Sequence, residues 1–171
     1  MTTPIIAPPS FDATRAAAFV LQRPHGSYDA RTVAAIADQY WGICVGVGVD
    51  PGVAWAQAIH ETGAFSSFWA QPPRFNFAGL GVTGQAGAGL VFPSWYEGVA
   101  AHVGRLVAYA TKPGQRAPAQ QALAAYALAW RALPTKYQGA APNAEDLGGK
   151  WAVPGVGYGE KIAAIMERVR G

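Results

Sequence analysis

Three aspartates, at positions 12, 29 and 50, each stand directly ahead of a stretch in which apolar residues return every three or four positions. A carboxylate there accepts the orphan amide hydrogens of a helix's first turn, and a 3.6-residue period gathers the apolar side chains on one face. The first third of the chain is therefore predicted to be helical. Asp12 caps a helix running through Leu21, and Asp29 caps a second that carries Val33, Ile36, Tyr40 and Cys44 on one stripe. Pro51 follows Asp50 at the position where its fixed φ suits a helix start. That third helix holds Trp55 and Ile59 and is expected to stop at Gly63.

From Ala64 to Pro93 the helical period gives way to aromatics, prolines and glycines, with short apolar pieces around residues 77–80 and 90–92 flanking a glycine-rich turn. This reads as a small β-hairpin. Ser94-Trp95-Tyr96-Glu97 is a capping-box signature and opens a long helix through about Tyr109, with Val99, Val103, Leu106 and Ala110 at helical spacing. A further helix is expected from Gln120 to Trp130, then an irregular stretch from Pro134 to Asn143, then a last helix carrying Ile162, Ile165, Met166 and Val169. The fold class is mostly α (α+β): a flexible, proline-rich arm over residues 1–11 and one helical domain with a small β-hairpin lobe over residues 12–171. A chain of 171 residues, 51% of them hydrophobic, suffices for one domain with a genuine core.

The formal net charge is +3, and the basic residues are scattered, with no Lys/Arg block of the kind that follows phosphates. Nucleic acid is not an expected partner. A mild positive field favours encounter with an anionic polymer without saying anything about chemistry. Cys44 is the single cysteine, so an internal disulfide is excluded, and its apolar neighbours mark it as a packing thiol. The opening residues have neither the charged start nor the apolar run of a signal peptide, and no stretch is long enough to span a membrane.

The chain has only ten acidic residues, so each can be tested against ordinary helix physics. Asp12, Asp29 and Asp50 sit at caps and Glu97 sits in the capping box. Asp38 lies opposite the Val33/Ile36/Tyr40 stripe, Glu145 and Asp146 follow Asn143 at a turn or short helix, and Glu160 and Glu167 face away from Ile162 and Met166. Glu61 does not fit. It occupies the last turn of its helix, where the macrodipole disfavours an anion, and Phe65, Phe68 and Trp69 follow closely. Apolar surroundings and a helix C-terminus both raise a carboxyl pKa, as a general acid requires. The structural alternative is a glutamate bonded to a neighbouring amide or to His60.

The same segment carries a resemblance. Ala56-Gln57-Ala58-Ile59-His60-Glu61-Thr62-Gly63 resembles the AQA-x-x-E-T-G segment of the glucosaminidase family of peptidoglycan hydrolases. Asn76-Phe77-Ala78-Gly79-Leu80-Gly81 is similar to that family's N-x-F-G-I-K hairpin entry, and Phe92-Pro93-Ser94-Trp95-Tyr96-Glu97-Gly98-Val99 to its F-x-S-x-x-E-G-I helix start. Tyr158-Gly159-Glu160-Lys161-Ile162 resembles its Y-x-x-K-I. The pieces occur in the family's order over roughly residues 29 to 170. The resemblance implies a lysozyme-like fold that cleaves β-1,4 bonds between N-acetylglucosamine and N-acetylmuramic acid, acting at the cell wall or outside the cell. No metal and no organic cofactor come with it. It implies Glu61 as the proton donor, Gln57 one turn earlier as a hydrogen-bonding neighbour, and Asn76 and Tyr158 as cleft residues. Trp69, Trp95 and Trp151 are candidates for stacking on sugar faces, against the alternative of core packing. The expected partner is a peptidoglycan glycan strand, engaged by a monomer. Without a visible leader, another delivery route, a phage-encoded origin or an excised domain is expected.

Two departures stand out. The family often continues E-T-G-x-G-x-S, whereas Phe65 stands here at the second glycine. No Asp or Glu occurs between Glu61 and Glu97, so the hairpin supplies no second carboxylate. A standard glycosidase uses two carboxyl groups about 5 to 10 Å apart. The substrate's 2-acetamido group, an acid from elsewhere such as Glu97 or Asp146, or a lytic transglycosylase mechanism in which one glutamate serves twice would each resolve this. A one-carboxylate mechanism is favoured. A non-catalytic wall-binding or phage structural module and a hydrolase of another polysaccharide such as chitin are the rival readings.

Other motifs fall away. The literal G-x-G-x-x-G of Gly79 to Gly84 continues into more glycine where a dinucleotide site needs a helix. His60-Glu61 is followed by Ala64 where a zinc-protease motif needs its second histidine, leaving only His25 and His102. There is no G-x-S-x-G elbow, and Cys44 lacks the electropositive setting of a nucleophile.

Overall fold

A computed structural model describes residues 2–85 and 87–171. Met1 and Ala86, which belong to the expected arm and to the expected glycine-rich turn, lie outside them. Among the described residues six α-helices make up the frame: α1 (Ala13–Leu21), α2 (Ala30–Val47), α3 (Pro51–Thr62), α4 (Trp95–Ala110), α5 (Pro118–Trp130) and α6 (Tyr158–Arg170). The protein is mostly helical, as the caps and periods predict, and this is consistent with the lysozyme-like fold that the resemblance implies. Asp12 accepts from the Arg15 amide at 2.7 Å and Asp29 from the Thr32 amide at 2.7 Å. Ser94 accepts from the Tyr96 amide at 3.1 Å and donates its hydroxyl to Glu97. Gly63 ends α3 in the left-handed conformation, φ 56°.

Helix α3 is the centre of the molecule. Every residue from Pro51 to Ile59 is buried, with α2, α4 and α6 packed around it and α1 against α2. Trp55 is fully buried, its ring edge-on to Tyr40 at 5.5 Å and close to Phe65 at 4.9 Å. A helix buried all round needs small residues where its neighbours cross. Ala54, Ala56 and Ala58 supply them. The consequence for the site is positional: the C-terminal turn of α3, with Glu61, emerges from the core at a fixed height.

Residues 2–11, expected as a flexible arm, lie against the helical body instead. The Ile5 amide donates to the Pro142 carbonyl at 2.9 Å, its carbonyl accepts from the Asp50 amide at 2.8 Å, and its side chain is fully buried. Proline forbids a helix here, but the alternation of buried Ile5 with exposed Ile6 is a two-residue period, suited to an extended segment pairing edge to edge. Asp50 ties the arm to α3. Its carboxylate accepts from the Gly52 amide at 2.8 Å, from the Ser10 amide at 3.0 Å and from the Ser10 hydroxyl, and it is only 3% exposed. Asp50→Ala, which removes the cap on the Gly52 amide and strands the Ser10 amide, is expected to lower the unfolding free energy by about 2 kcal/mol in urea denaturation.

The expected hairpin takes the form of a doubled-back loop. The Leu90 amide donates to the Leu80 carbonyl at 2.9 Å, yet no strand ladder forms among the described residues. Beneath the loop, Ala78, Leu80, Phe92 and Ala101 make a small apolar cluster separate from the main core. Glycines leave few side chains to pair across strands, so the loop relies on this cluster and on one buried asparagine.

Candidate active site

Glu61 sits one residue from the end of α3 and is neither exposed nor fully buried. Its Oε1 accepts the hydroxyl hydrogen of Tyr158, the first residue of α6. Its Oε2 has no hydrogen-bond partner among the described residues and faces Gly79, where an added Cβ would lie 3.4 Å away. Desolvation raises the carboxyl pKa above its ordinary range, and the Tyr158 hydrogen bond partly opposes this. No cation pairs with Glu61: the one ion pair among the described residues joins Arg170 to Glu167.

Behind Tyr158 a hydrogen-bonded chain runs into the core. Gln57 Nε2 donates to the Tyr158 oxygen at 2.8 Å, Gln57 Oε1 meets His102 Nε2 at 2.8 Å, and His102 Nδ1 meets the Tyr40 hydroxyl at 2.8 Å. Burial pushes the His102 pKa down to about 3, so the ring is neutral. A neutral ring that gives every atom a partner carries its hydrogen on Nε2, donates it to Gln57 and accepts from Tyr40. All donors then point one way, from Tyr40 through His102, Gln57 and Tyr158 to Glu61. Gln57, His102 and Tyr40 are each fully buried and Tyr158 is 4% exposed, so the chain is shielded from water.

The residues expected at the site divide clearly. Glu61, Tyr158 and Gln57 are brought together, though Gln57 reaches Glu61 only through Tyr158. Trp151 lies 5.8 Å from the His102 ring and 5.4 Å from Tyr109, half-buried on the wall of a pocket that begins at Gly79. Trp69 is packed beneath the glycine-rich loop, where any Cβ at Gly89 would fall 2.5 Å from its ring. Trp95 lines a different depression with Tyr28, Thr32 and Phe75.

Asn76 is placed otherwise than expected. It is fully buried and faces the loop backbone: its Nδ2 donates to the carbonyls of Leu80 at 2.8 Å and Leu90 at 3.0 Å, and its Oδ1 accepts from the Leu80 amide at 2.9 Å. Those bonds occupy the amide, which leaves it a loop staple with nothing to offer a cleft. Asn76→Ala is expected to cost about 1–3 kcal/mol of stability and to speed hydrogen exchange at the Leu80 amide.

Phe65 explains the first departure. With Gly63 and Ala64 it forms three successive left-handed residues, at φ 56°, 55° and 67°. Phenylalanine is strained there, and its ring is held by burial against Trp55 at 4.9 Å and Phe77 at 5.2 Å. The turn a glycine makes freely is made here by packing. As for a second acid, Glu97 is engaged by Ser94, and Asp146 accepts from the Asn143 amide and side chain at 3.0 Å each.

His102, Tyr40, Arg105, Arg131 and Lys150 were not predicted from sequence as residues of the site. A signal existed for two of them: His102 lies three residues from Val99 and four from Leu106, and Arg105 lies four from both Ala101 and Tyr109, all buried on α4. A polar residue on an apolar stripe must find partners, which marks it for inspection.

The fold and the site together are a helical frame that presents one partly buried carboxyl group at the end of its central helix. The chain belongs to the glucosaminidase family: residues 37–171 match that family, described as mannosyl-glycoprotein endo-beta-N-acetylglucosaminidase. It is also similar to an uncharacterized protein of Borreliella burgdorferi (strain ATCC 35210 / DSM 4680 / CIP 102532 / B31), 31% identical over 139 residues. That match covers 81% of this chain and 63% of the relative's length. No solved structure matches the chain.

Proposed function

We propose that the protein cleaves the β-1,4 bond between N-acetylglucosamine and N-acetylmuramic acid in peptidoglycan, acting at the cell wall, with Glu61 as general acid. The observation that carries this is the state of one carboxyl group: desolvated, its pKa raised, one oxygen fixed by Tyr158 and the other open toward Gly79. Family membership supports the substrate class. Such a group remains protonated at higher pH than an ordinary carboxyl and delivers its proton from a fixed position.

Because Glu97 and Asp146 are held as caps, one carboxylate performs both proton transfers. Glu61 protonates the leaving oxygen as the C1–O bond breaks, while the 2-acetamido oxygen of the N-acetylglucosamine attacks C1 from the other face to give an oxazolinium ion. Water then attacks C1, its proton passes to the Glu61 carboxylate, and the ring opens to restore the acetamido group and the acid.

Mass spectrometry of purified cell wall digested by the protein tests this. Fragments with reducing N-acetylglucosamine ends are expected. Anhydro-muramic ends would reassign the reaction to a lytic transglycosylase, and an undigested wall would favour a binding module.

A further inference from the structure

Gly79, the glycine that Glu61 Oε2 faces, also lines a polar pocket of about 140 Å³ walled by Arg105, Arg131, Lys150, Tyr109 and Trp151. Among the described residues, three cations face it and no carboxylate does. Arg105 is the most constrained: 8% exposed, it donates from Nη1 to the Arg131 carbonyl at 2.8 Å, and its guanidinium stands 5.8 Å over the Tyr109 ring. Lys150 Nζ donates to the Asp146 carbonyl at 2.8 Å, while the Asp146 carboxylate is turned to Asn143. An Arg131 Nη1 lies 3.2 Å from where a Cβ on Gly81 would stand, so the glycine turn lets the guanidinium approach the backbone and puts no side chain into the space.

Gathering cations around a partly desolvated pocket is unfavourable unless an anion completes it. Burial lowers the Arg105 pKa, Tyr109 opposes this, and the neighbouring Arg131 charge lowers it further. Guanidinium groups match a carboxylate in geometry and bind it bidentately. The ten acids of the chain leave none here, so the counter-ion comes from outside.

We propose that Arg105, Arg131 and Lys150 form an anion subsite that holds a carboxylate of the glycan strand next to the scissile bond, selecting an acidic glycan over a neutral one. This rests on the glycosidase reading of Glu61 and adds how the substrate is chosen. Two parts of peptidoglycan carry the group: the lactyl ether of a peptide-free muramic residue, and the stem peptide.

The test measures binding, so it does not depend on turnover. In a Glu61→Gln background, calorimetry compares peptide-stripped glycan strands, strands bearing stem peptides, and a neutral chito-oligosaccharide of equal length. At least one acidic strand is expected to bind on the order of tenfold more tightly than the neutral one. Tighter binding of stripped strands assigns the lactyl carboxylate, and of intact strands the stem peptide. Arg131→Gln with Lys150→Gln is expected to abolish the preference, while Arg31→Gln with Lys136→Gln, an equal charge change on exposed residues elsewhere, keeps it. Equal affinity for all three glycans, or equal loss in both double variants, overturns the subsite. Preference without wall cleavage by the wild type would sink only the enzymatic reading, and cleavage without preference only the subsite.

Discussion

Glu61→Gln is expected to abolish release of soluble fragments from cell wall, a loss of about 10²- to 10⁴-fold, while leaving the protein as stable as before or more so at neutral pH. The first half follows from the proton: glutamine keeps an oxygen that can accept from Tyr158 but has none to give a leaving group. The second half follows from linkage. The folded-state pKa of Glu61 is raised by burial, so the native protein binds this proton more readily than the unfolded chain does. Wild-type stability therefore declines as pH rises from the ordinary carboxyl pKa through the raised one, and glutamine, which has no charge to desolvate, escapes the decline. Turbidity clearing of a wall suspension and thermal melts at acidic and neutral pH check the two halves. Retained clearing would remove Glu61 from the chemistry, and a neutral-pH melt well below the wild type's would show that it is structural.

Tyr158→Phe is expected to lower kcat/KM by about ten- to hundredfold and to move the alkaline limb of the pH–rate profile upward. The hydroxyl hydrogen bond favours the charged carboxylate and holds its pKa down against desolvation. Without it the pKa rises further, so the protonated acid persists to higher pH even as the carboxyl loses its fixed orientation. Gln57 Nε2 also loses its acceptor in a buried place, at a cost of about 1–3 kcal/mol in urea denaturation. A rate loss with an unmoved pH profile would assign Tyr158 to packing alone.

Helix frame and candidate site were unequally legible. Every expected helix is present because cap, period and stop are each local: Asp29 needs only Thr32 and Gly63 needs only its own φ. Glu61 stood out for the same reason, as an acid where helix physics does not want one. The arm misled because proline content reports what a segment cannot form and says nothing about what it docks on, and Ile5 docks on residues 142 and 50. The hairpin misled because apolar pieces around glycines predict a reversal without revealing whether strands pair. Asn76 misled because a motif position conveys importance without direction: the residue is needed by the loop it faces.

The chain by itself determined six helices, the caps of four of them and the one acid that ordinary packing does not explain, since these depend on neighbours within a turn or two. Only the tertiary structure decided what that acid touches. Tyr158 lies 97 residues from Glu61, and Gln57 lies 101 from Tyr158 and 45 from His102. Arg105 and Arg131 likewise meet across 26 residues. A hydrogen bond and a desolvated charge depend on distances of a few ångströms in space, and those are fixed by how α3, α4 and α6 pack, which no local pattern encodes.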